Sequence, residues 1–284
     1  MATNQSTKIQ RRLGRAGGIA VVVVAALVAA FPLYWIITRS FMTGRAAFQL
    51  PPVWFPQQPT LGAYETILVE GAYFDYLLNS TISTVIGVAL ALILGVPATY
   101  GLVRYDFPYG LDEHLGFFFL SLFMLPPIVV TIPYFDLLQH LGGIDNNVWL
   151  GLIYAVFNLP LIVWFTRGFI EDIPSSLGEA ALVDGANELE VFYHIYLPLI
   201  RPGMAAAAII SFILTWNEYL FALVLTRTEA KTLPVATTEF VGQYNISWNE
   251  LSAGLVITLL PVVVFLFATQ QYIISGLTKG AVKE

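Results

Sequence analysis

The sequence predicts an all-α, polytopic membrane protein with six transmembrane helices and both termini in the cytoplasm. Three observations carry that prediction. The 284 residues are 57% hydrophobic and only 11% charged, less than half of the roughly 25% usual in soluble domains. Apolar runs long enough to cross a hydrocarbon core of ~30 Å, which takes about 20 helical residues, recur six times, all uncharged except the fifth, which Glu218 interrupts. The basic residues are also unevenly shared between the two sets of segments that join those runs.

Residues 1–17 form an arm carrying Lys8, Arg11, Arg12 and Arg15. The first span, 18–38, is longer than the 7–15 apolar residues of a cleaved secretion signal and ends in Tyr34-Trp35, a pair suited to the membrane interface. It is expected to be retained. Residues 40–80 make a long outer segment, rich in proline and aromatics at its start (LPPVWFPQQP) and helix-like at its end (LGAYETILVEGAYFDYLLNS). Spans 81–103 and 115–135 are joined inside by a short loop, and 115–135 and 146–166 outside by QHLGGIDNN. A long inner loop follows, then span 204–226, an outer segment around 227–250, span 251–278 and a tail, 279–284. With this topology the inner segments hold Lys8, Arg11, Arg12, Arg15, Arg104, Arg167, Arg201, Lys279 and Lys283, against Arg39, Arg45, Arg227 and Lys231 outside. Nine against four places both termini in the cytoplasm. The chain shows no internal repeat and reads as one domain.

Composition also excludes chemistry. Without cysteine there is neither a disulfide nor a thiolate metal site. His114, His140 and His194 lie in different segments without metal-ligand spacing, so no metal or catalytic site is predicted. A net charge of −6, carried mostly in loops, argues against a nucleic-acid partner. No G-x-x-x-x-G-K-[ST] occurs, so the chain cannot cradle ATP phosphates through a P-loop. Pro32, Pro97, Pro126, Pro127, Pro133, Pro160 and Pro261 fall within spans. They reflect either ordinary kinking or a bundle whose pathway opens and closes. Six helices with few polar faces make half of such a pathway, so a second membrane chain is expected.

The inner loop, about 171–202, is the most informative stretch. SLGEAALVDGANELEVFYHIYLPLIRP, Ser176 to Pro202, is polar, acid-rich and organised, and it lies between apolar spans. It reads as a docking element for a partner outside the membrane. Ser176 to Glu179 fits the S-x-x-E capping box of a helix start. Ala180 and Ala181 give a narrow surface suited to a cleft, and Leu182, Val183 and Ala186 an apolar side. Gly185 is placed to take positive φ and stop the helix. Asn187 to Glu190 fits a second N-cap with an acid at N3. Phe192, Ile195 and Leu199, at i, i+3 and i+7, share a face of the second helix.

EAALVDGANELEVFYHIYLPLIRP resembles the EAA loop of binding-protein-dependent ABC importer permeases, with Glu179, Ala180, Ala181, Asp184, Gly185, Ala186, Phe192, Ile195, Leu197 and Pro198 matching the motif. The resemblance extends over residues 18–284. TWNEYLFALVLT, LPVA, the ending GLTKGAVKE, Asn79-Ser80 and MLPP are similar to the maltose-type carbohydrate permeases, and the chain to their second, shorter partner. It implies the type I importer architecture in a prokaryotic inner or plasma membrane, with the loop as a coupling helix seated on a cytoplasmic ATPase. It also implies a companion permease in a heterodimer, two P-loop ATPase subunits carrying the ATP and Mg, and an external or periplasmic substrate-binding protein. This chain itself would bind no cofactor, and membrane lipid would surround it.

Within that frame, Glu179 either pairs with a basic residue of the ATPase cleft or caps its own helix. Asp184 either contacts the ATPase or helps the turn at Gly185. Glu218 is the only ionisable residue inside a predicted span, roughly 21 Å along the helix from Met204 at ~1.5 Å per residue. With Trp216, Asn217 and Tyr219 it either lines the outer end of a pathway or is satisfied by a neighbouring helix; for direct sugar contact the second reading is preferred. Thr278, Lys279 and Gly280 either reach the ATPase or belong to a frayed terminus. The expected substrate is a sugar or oligosaccharide, since no span interior carries Arg or Lys; a glycerol-phosphate or polyol is the alternative within the same machinery. An ion-coupled secondary transporter would show paired repeats with broken helices, which are absent here.

Overall fold

The computed structural model describes residues 3–241 and 246–279, with side chains described for 17–112, 114–241 and 246–269. The chain, expected as one domain, folds as two units. One comprises the residues up to Gly71 with Phe240–Ile257, the other Ala72–Glu239 with the residues from Thr258 onward.

In the first unit, α1 (Thr3–Ser40) is followed by the short helices α2 (Gly44–Phe48) and α3 (Gly62–Glu65). The apolar side chains of residues 17–33 are all exposed, as those of a helix that faces lipid or another chain would be. The rest of α1 is packed. The Arg39 guanidinium lies 4.0 Å from the Trp35 ring centre, and its Nη1 donates to the carbonyls of Ala46 (3.1 Å) and Ala47 (2.9 Å), meeting carbonyls that a five-residue helix leaves unpaired. Tyr34 donates to the Trp54 carbonyl at 2.6 Å and Tyr64 to the Ser40 hydroxyl at 2.8 Å, so residues 40–65 fold back on the end of α1.

The second unit is built on α4 (Tyr73–Arg104), about 48 Å long at 1.5 Å for each of its 32 residues. It contains α5 (Leu111–Met124), α6 (Pro127–Leu141), α7 (Asn147–Glu171), α8 (Ser175–Val183), α9 (Glu188–Val191), α10 (Leu197–Leu199), α11 (Arg201–Trp216), α12 (Leu220–Leu225) and α13 (Leu233–Thr238). The last helix, α14 (Trp248–Lys279), starts in the first unit and continues in the second. α4, α7 and α11 pack together. α4 and α7 meet at glycines: a Cβ on Gly87 would come within 2.6 Å of the Tyr154 Cβ, and one on Gly151 within 2.7 Å of Ile86. Such small residues let membrane helices approach closely. Polar groups add to the joint. Asn158 of α7 donates to Thr215 Oγ1 (2.8 Å) and accepts from Ser211 Oγ (2.7 Å), both on α11, and Thr166 donates to Thr99 of α4 (3.1 Å).

The spans differ in detail from the expected runs. Among the described residues, four helices are long and apolar enough to cross a membrane, or up to six if each bent pair is one span. α4 begins eight residues before Thr81, because the last part of the preceding helix-like stretch, Tyr73 to Ser80, is continuous with it, whereas the stretch is interrupted at Gly71 and Ala72. The run 115–135 is not continuous. Leu125 and Pro126 are extended (ψ 124° and 128°), since each precedes a proline, which disfavours the helical conformation. The run 204–226 is broken at 217–219. Proline does not always break a helix here: Pro32, Pro97, Pro133, Pro160 and Pro261 all lie inside one.

Candidate functional site

The segment after α7 forms a compact two-helix hairpin at the Arg104 end of α4. Pro174, extended at ψ 131°, precedes α8, and no side chain caps that helix. The expected capping box therefore does not form. The helix starts at Ser175, so Ser176 lies inside the first turn and Glu179 falls beyond N3. Glu179 is exposed and makes no hydrogen bond or ion pair among the described residues. Its capping role is corrected, and its carboxylate stands uncommitted at the surface.

The end of α8 follows the glycine reading. Gly185 has φ +94°, a conformation L side chains rarely adopt, while the space around it is open. Its N–H donates to the Leu182 carbonyl (3.1 Å) and that of Ala186 to Ala181 (3.0 Å), the paired bonds of a Schellman motif. Asn187 then caps α9 reciprocally. Its side chain accepts from the Glu190 N–H (3.0 Å), and the Glu190 carboxylate accepts from the Asn187 N–H (2.8 Å), as its spacing predicted.

The face of the second helix is corrected. Phe192 is buried, but Leu199 is 52% exposed and Ile200 is fully buried. A π-helical turn at Phe192–Tyr196 inserts an extra residue into the period, shifting the buried set to Val191, Phe192, Tyr196 and Ile200. Ala181 and Ala186 pack against this cluster, whereas Ala180, Leu182, Val183, Asp184 and Gly185 are exposed. The two alanines of the motif thus divide, one inward and one outward.

Three residues that the sequence reading overlooked hold the hairpin. Gly178 is buried where a Cβ would lie 3.2 Å from the Tyr196 hydroxyl, so α8 rests directly on Tyr196. Arg104 stands over the Tyr196 ring, 4.7 Å from its centre, and its Nη2 donates to the carbonyls of Ile170 (2.5 Å) and Ile173. Those carbonyls close α7 and open the connection to α8. Tyr105 donates to the Glu188 carboxylate at 2.9 Å. Burial, with that carboxylate adding to it, pushes the Tyr105 hydroxyl up, so it keeps its proton to donate. An Arg at a helix end is an ordinary positive-inside signal, which is why neither role was legible.

At the opposite end of this unit, Trp216, Asn217, Glu218 and Tyr219 surround the break after α11. Trp216 is buried, its Nε1 donating to the Thr258 carbonyl at 3.0 Å. Asn217 donates to the Ile213 carbonyl at 2.8 Å, a local bond that competes with helix continuation. The Glu218 carboxylate accepts from the N–H groups of Phe221 (2.8 Å) and Ala222 (3.2 Å) and from the Tyr154 hydroxyl (3.0 Å). It does the work of a cap at the start of α12 and ties it to α7. Of the four, Asn217 and Tyr219 are exposed, Glu218 is half-buried and Trp216 is buried.

Beyond α12, Asp145 was also missed. It has φ +60°, and its carboxylate accepts from the N–H groups of Arg227 (2.8 Å), Thr228 (3.1 Å), Glu229 (3.1 Å) and Ala230 (2.9 Å) and from the Thr228 hydroxyl (3.2 Å). Burial opposes the charge, but the four amides together outweigh it and hold the carboxyl well below the usual carboxylate range. Asn79 donates to the Glu229 and Lys231 carbonyls, and Ser80 accepts from the Leu233 N–H. The segment from 226 to 233 is therefore clamped to α4 and to the start of α7.

The tail expectation involves Thr278 and Lys279, which close α14 but whose side chains lie outside those described, and Gly280, which lies outside the described residues. No group of three or more His, Asp or Glu suited to a metal occurs among the described residues.

A family model described as "Binding-protein-dependent transport system inner membrane component" matches residues 87–279, which include the whole hairpin. The chain belongs to that family. This permease is 34% identical over 263 residues to a probable ABC transporter permease protein of Sinorhizobium fredii, covering 92% of both chains. It is also 34% identical to the trehalose transport system permease protein SugB of Mycobacterium tuberculosis, over 88% of this chain and 97% of that one. Among solved structures, a bacterial ABC transporter involved in the import of the acidic polysaccharide alginate superposes with a TM-score of 0.77 at 27% identity, covering 92% of this chain and 96% of that one. The chain is accordingly a multi-pass inner-membrane permease subunit and not an enzyme.

Proposed function

We propose that this permease is one of two membrane halves of an ATP-driven, binding-protein-dependent importer of a sugar or oligosaccharide, six-spanning with both termini in the cytoplasm. The observation that carries the coupling part is the hairpin. It is fixed internally by the Gly185 turn and the Asn187–Glu190 box, and fixed to the bundle by Arg104 and Tyr105. Its outward edge, Glu179, Ala180, Leu182, Val183 and Asp184, is exposed among the described residues. A rigid lever with an exposed apolar and acidic edge suits a cleft in a cytoplasmic ATPase. Closure of two ATPases would then be passed through Arg104 to α4 and through Ile170 to α7.

The sugar assignment is supported by relatives. SugB is named for trehalose, and a Streptomyces coelicolor relative, 30% identical over 89% of this chain, is named as a diacetylchitobiose uptake permease. The absence of Arg and Lys from the predicted spans agrees with such a substrate. Trp216, Asn217, Glu218 and Tyr219 are proposed to shape the outer end of the pathway, with Glu218 acting through the α12 start rather than on substrate. A second permease, two P-loop ATPases with ATP and Mg, and an external binding protein complete the assembly. Purification of the chain from its native membranes tests the proposal. A co-purifying P-loop ATPase and ATP-dependent saccharide uptake by the complex in proteoliposomes are expected; a chain that comes out alone and moves solute without ATP would overturn it.

A further inference from the structure

The first unit contains a recess that the coupling account does not use. It is about 730 Å³ and is lined by Gly44, Arg45, Phe48 and Gln49 of the α2 region and by Ile246 to Glu250 at the start of α14. Phe48 (71%) and Trp248 (39%) expose much of their rings. Arg45, Gln49, Asn249 and Glu250 bring donors, acceptors and two amides, and none of these side chains has a hydrogen bond or ion pair among the described residues. The absence of a side chain on Gly44 leaves Asn249 approachable, since a Cβ there would already sit 3.4 Å from its Oδ1.

We propose that this recess is a saccharide-binding subsite on the outer face of the permease, where substrate rests between the binding protein and the pathway. The proposal rests on the importer reading above for its place outside the membrane. Its chemistry comes from the recess itself. A polyhydroxyl ring has apolar C–H faces and a rim of groups that both donate and accept. Such a ligand is met by aromatic faces beside a few convergent polar groups, in sites of roughly 300–1,000 Å³. One cation and one anion of opposite sign give the recess no net charge, which disfavours a phosphate or a polyanion. Gln49 and Asn249 supply the paired donor and acceptor that a hydroxyl rim takes.

Saturation-transfer NMR on the intact complex in nanodiscs, without binding protein, tests it, with glucose, maltose, trehalose and N,N′-diacetylchitobiose as probes. Transfer to at least one probe is expected from the wild type. Trp248→Ala and Asn249→Ala should each weaken it about tenfold, while Trp54→Ala, exposed in the same unit but outside the recess, leaves it unchanged. No transfer from the wild type to any probe, or equal transfer from Trp248→Ala, would overturn the subsite. Loss of binding-protein docking in Trp248→Ala with sugar transfer intact would also overturn it, marking a protein contact. ATP-dependent uptake is read separately: Trp248-dependent sugar transfer without any uptake would sink the importer reading and leave the subsite standing.

Discussion

The Arg104 guanidinium lies over the ring of Tyr196, 4.7 Å from its centre, while the same group donates to the carbonyls of Ile170 and Ile173. One side chain from the end of α4 thus joins the last turn of α7, the connection to α8 and the helix under it. Hydrogen bonds from a charged donor contribute about 1.5–3 kcal/mol each when well made, and both would be lost together, leaving the Ile170 carbonyl with the Ile173 N–H at 3.2 Å.

Arg104→Met is therefore expected to uncouple. ATP hydrolysis by the assembled complex should persist, while ATP-dependent uptake falls tenfold or more. Arg104→Lys keeps the charge but not the fork that reaches two carbonyls over a ring, and should recover only part of the loss. Parallel measurement of hydrolysis and uptake in proteoliposomes checks both variants; unchanged uptake in Arg104→Met would remove this residue from the coupling route.

Gly185→Val should be worse than Gly185→Asn. At φ +94° the strain is in the backbone and not in the surroundings, which are open. A β-branched side chain tolerates positive φ worst, and Asn is among the residues that tolerate it best. Assembly with the ATPase, followed by co-purification, is expected to fall in the order Gly, Asn, Val. Normal assembly and transport in Gly185→Val would contradict the turn's role.

Asp145→Ala should free the segment from 227 to 230. Four amides lose their shared acceptor, so their hydrogen exchange should quicken tenfold or more, roughly 1.4 kcal/mol of local stability. The sign of the pH dependence follows from the lowered carboxyl. The folded-state value lies below the unfolded value of about 3.9, so the clamp contributes fully above that and is lost as pH falls through the folded-state value. Exchange at 227–230 relative to the rest of the unit should be flat from pH 5 to 8 and rise only in strong acid.

Glu218→Ala should destabilise the α12 start, because the N–H groups of Phe221 and Ala222 lose their acceptor at about 1–3 kcal/mol for each group left unmet. Tyr154→Phe removes only one of the three bonds and should be milder. Thermal unfolding of the complex in detergent ranks the two. A larger effect from Tyr154→Phe would contradict the assignment of Glu218 to the α12 start.

Much of this was legible in the residues, and what was not has local causes. Hydropathy finds the helices because burial in lipid demands long uncharged runs, and Gly185 and Asn187 announce their turns because few residues can do what they do. Ser176 misleads because Pro174, two residues earlier, sets where the chain can enter the helix, and the capping pattern does not weigh proline. Leu199 misleads because a π turn changes the period, which spacing assumes constant. Arg104 and Asp145 act on carbonyls and amides far along the chain, and no local pattern marks a side chain whose partners are backbone groups 66 and 82 residues away.

Crosslinking tests whether the edge of α8 seats on an ATPase, as proposed. Because the chain has no cysteine, Ala180→Cys and Val183→Cys each introduce a unique thiol on that exposed edge. A short thiol-to-amine crosslinker applied to the complex in native membranes should join each variant to the co-purifying ATPase, with a yield that changes when ATP is added. A Cys at Thr228, on the far end of the unit, should give no such adduct. If the α8 thiols react with reagent yet never capture the ATPase while the subunits still co-purify, the hairpin is not the coupling element.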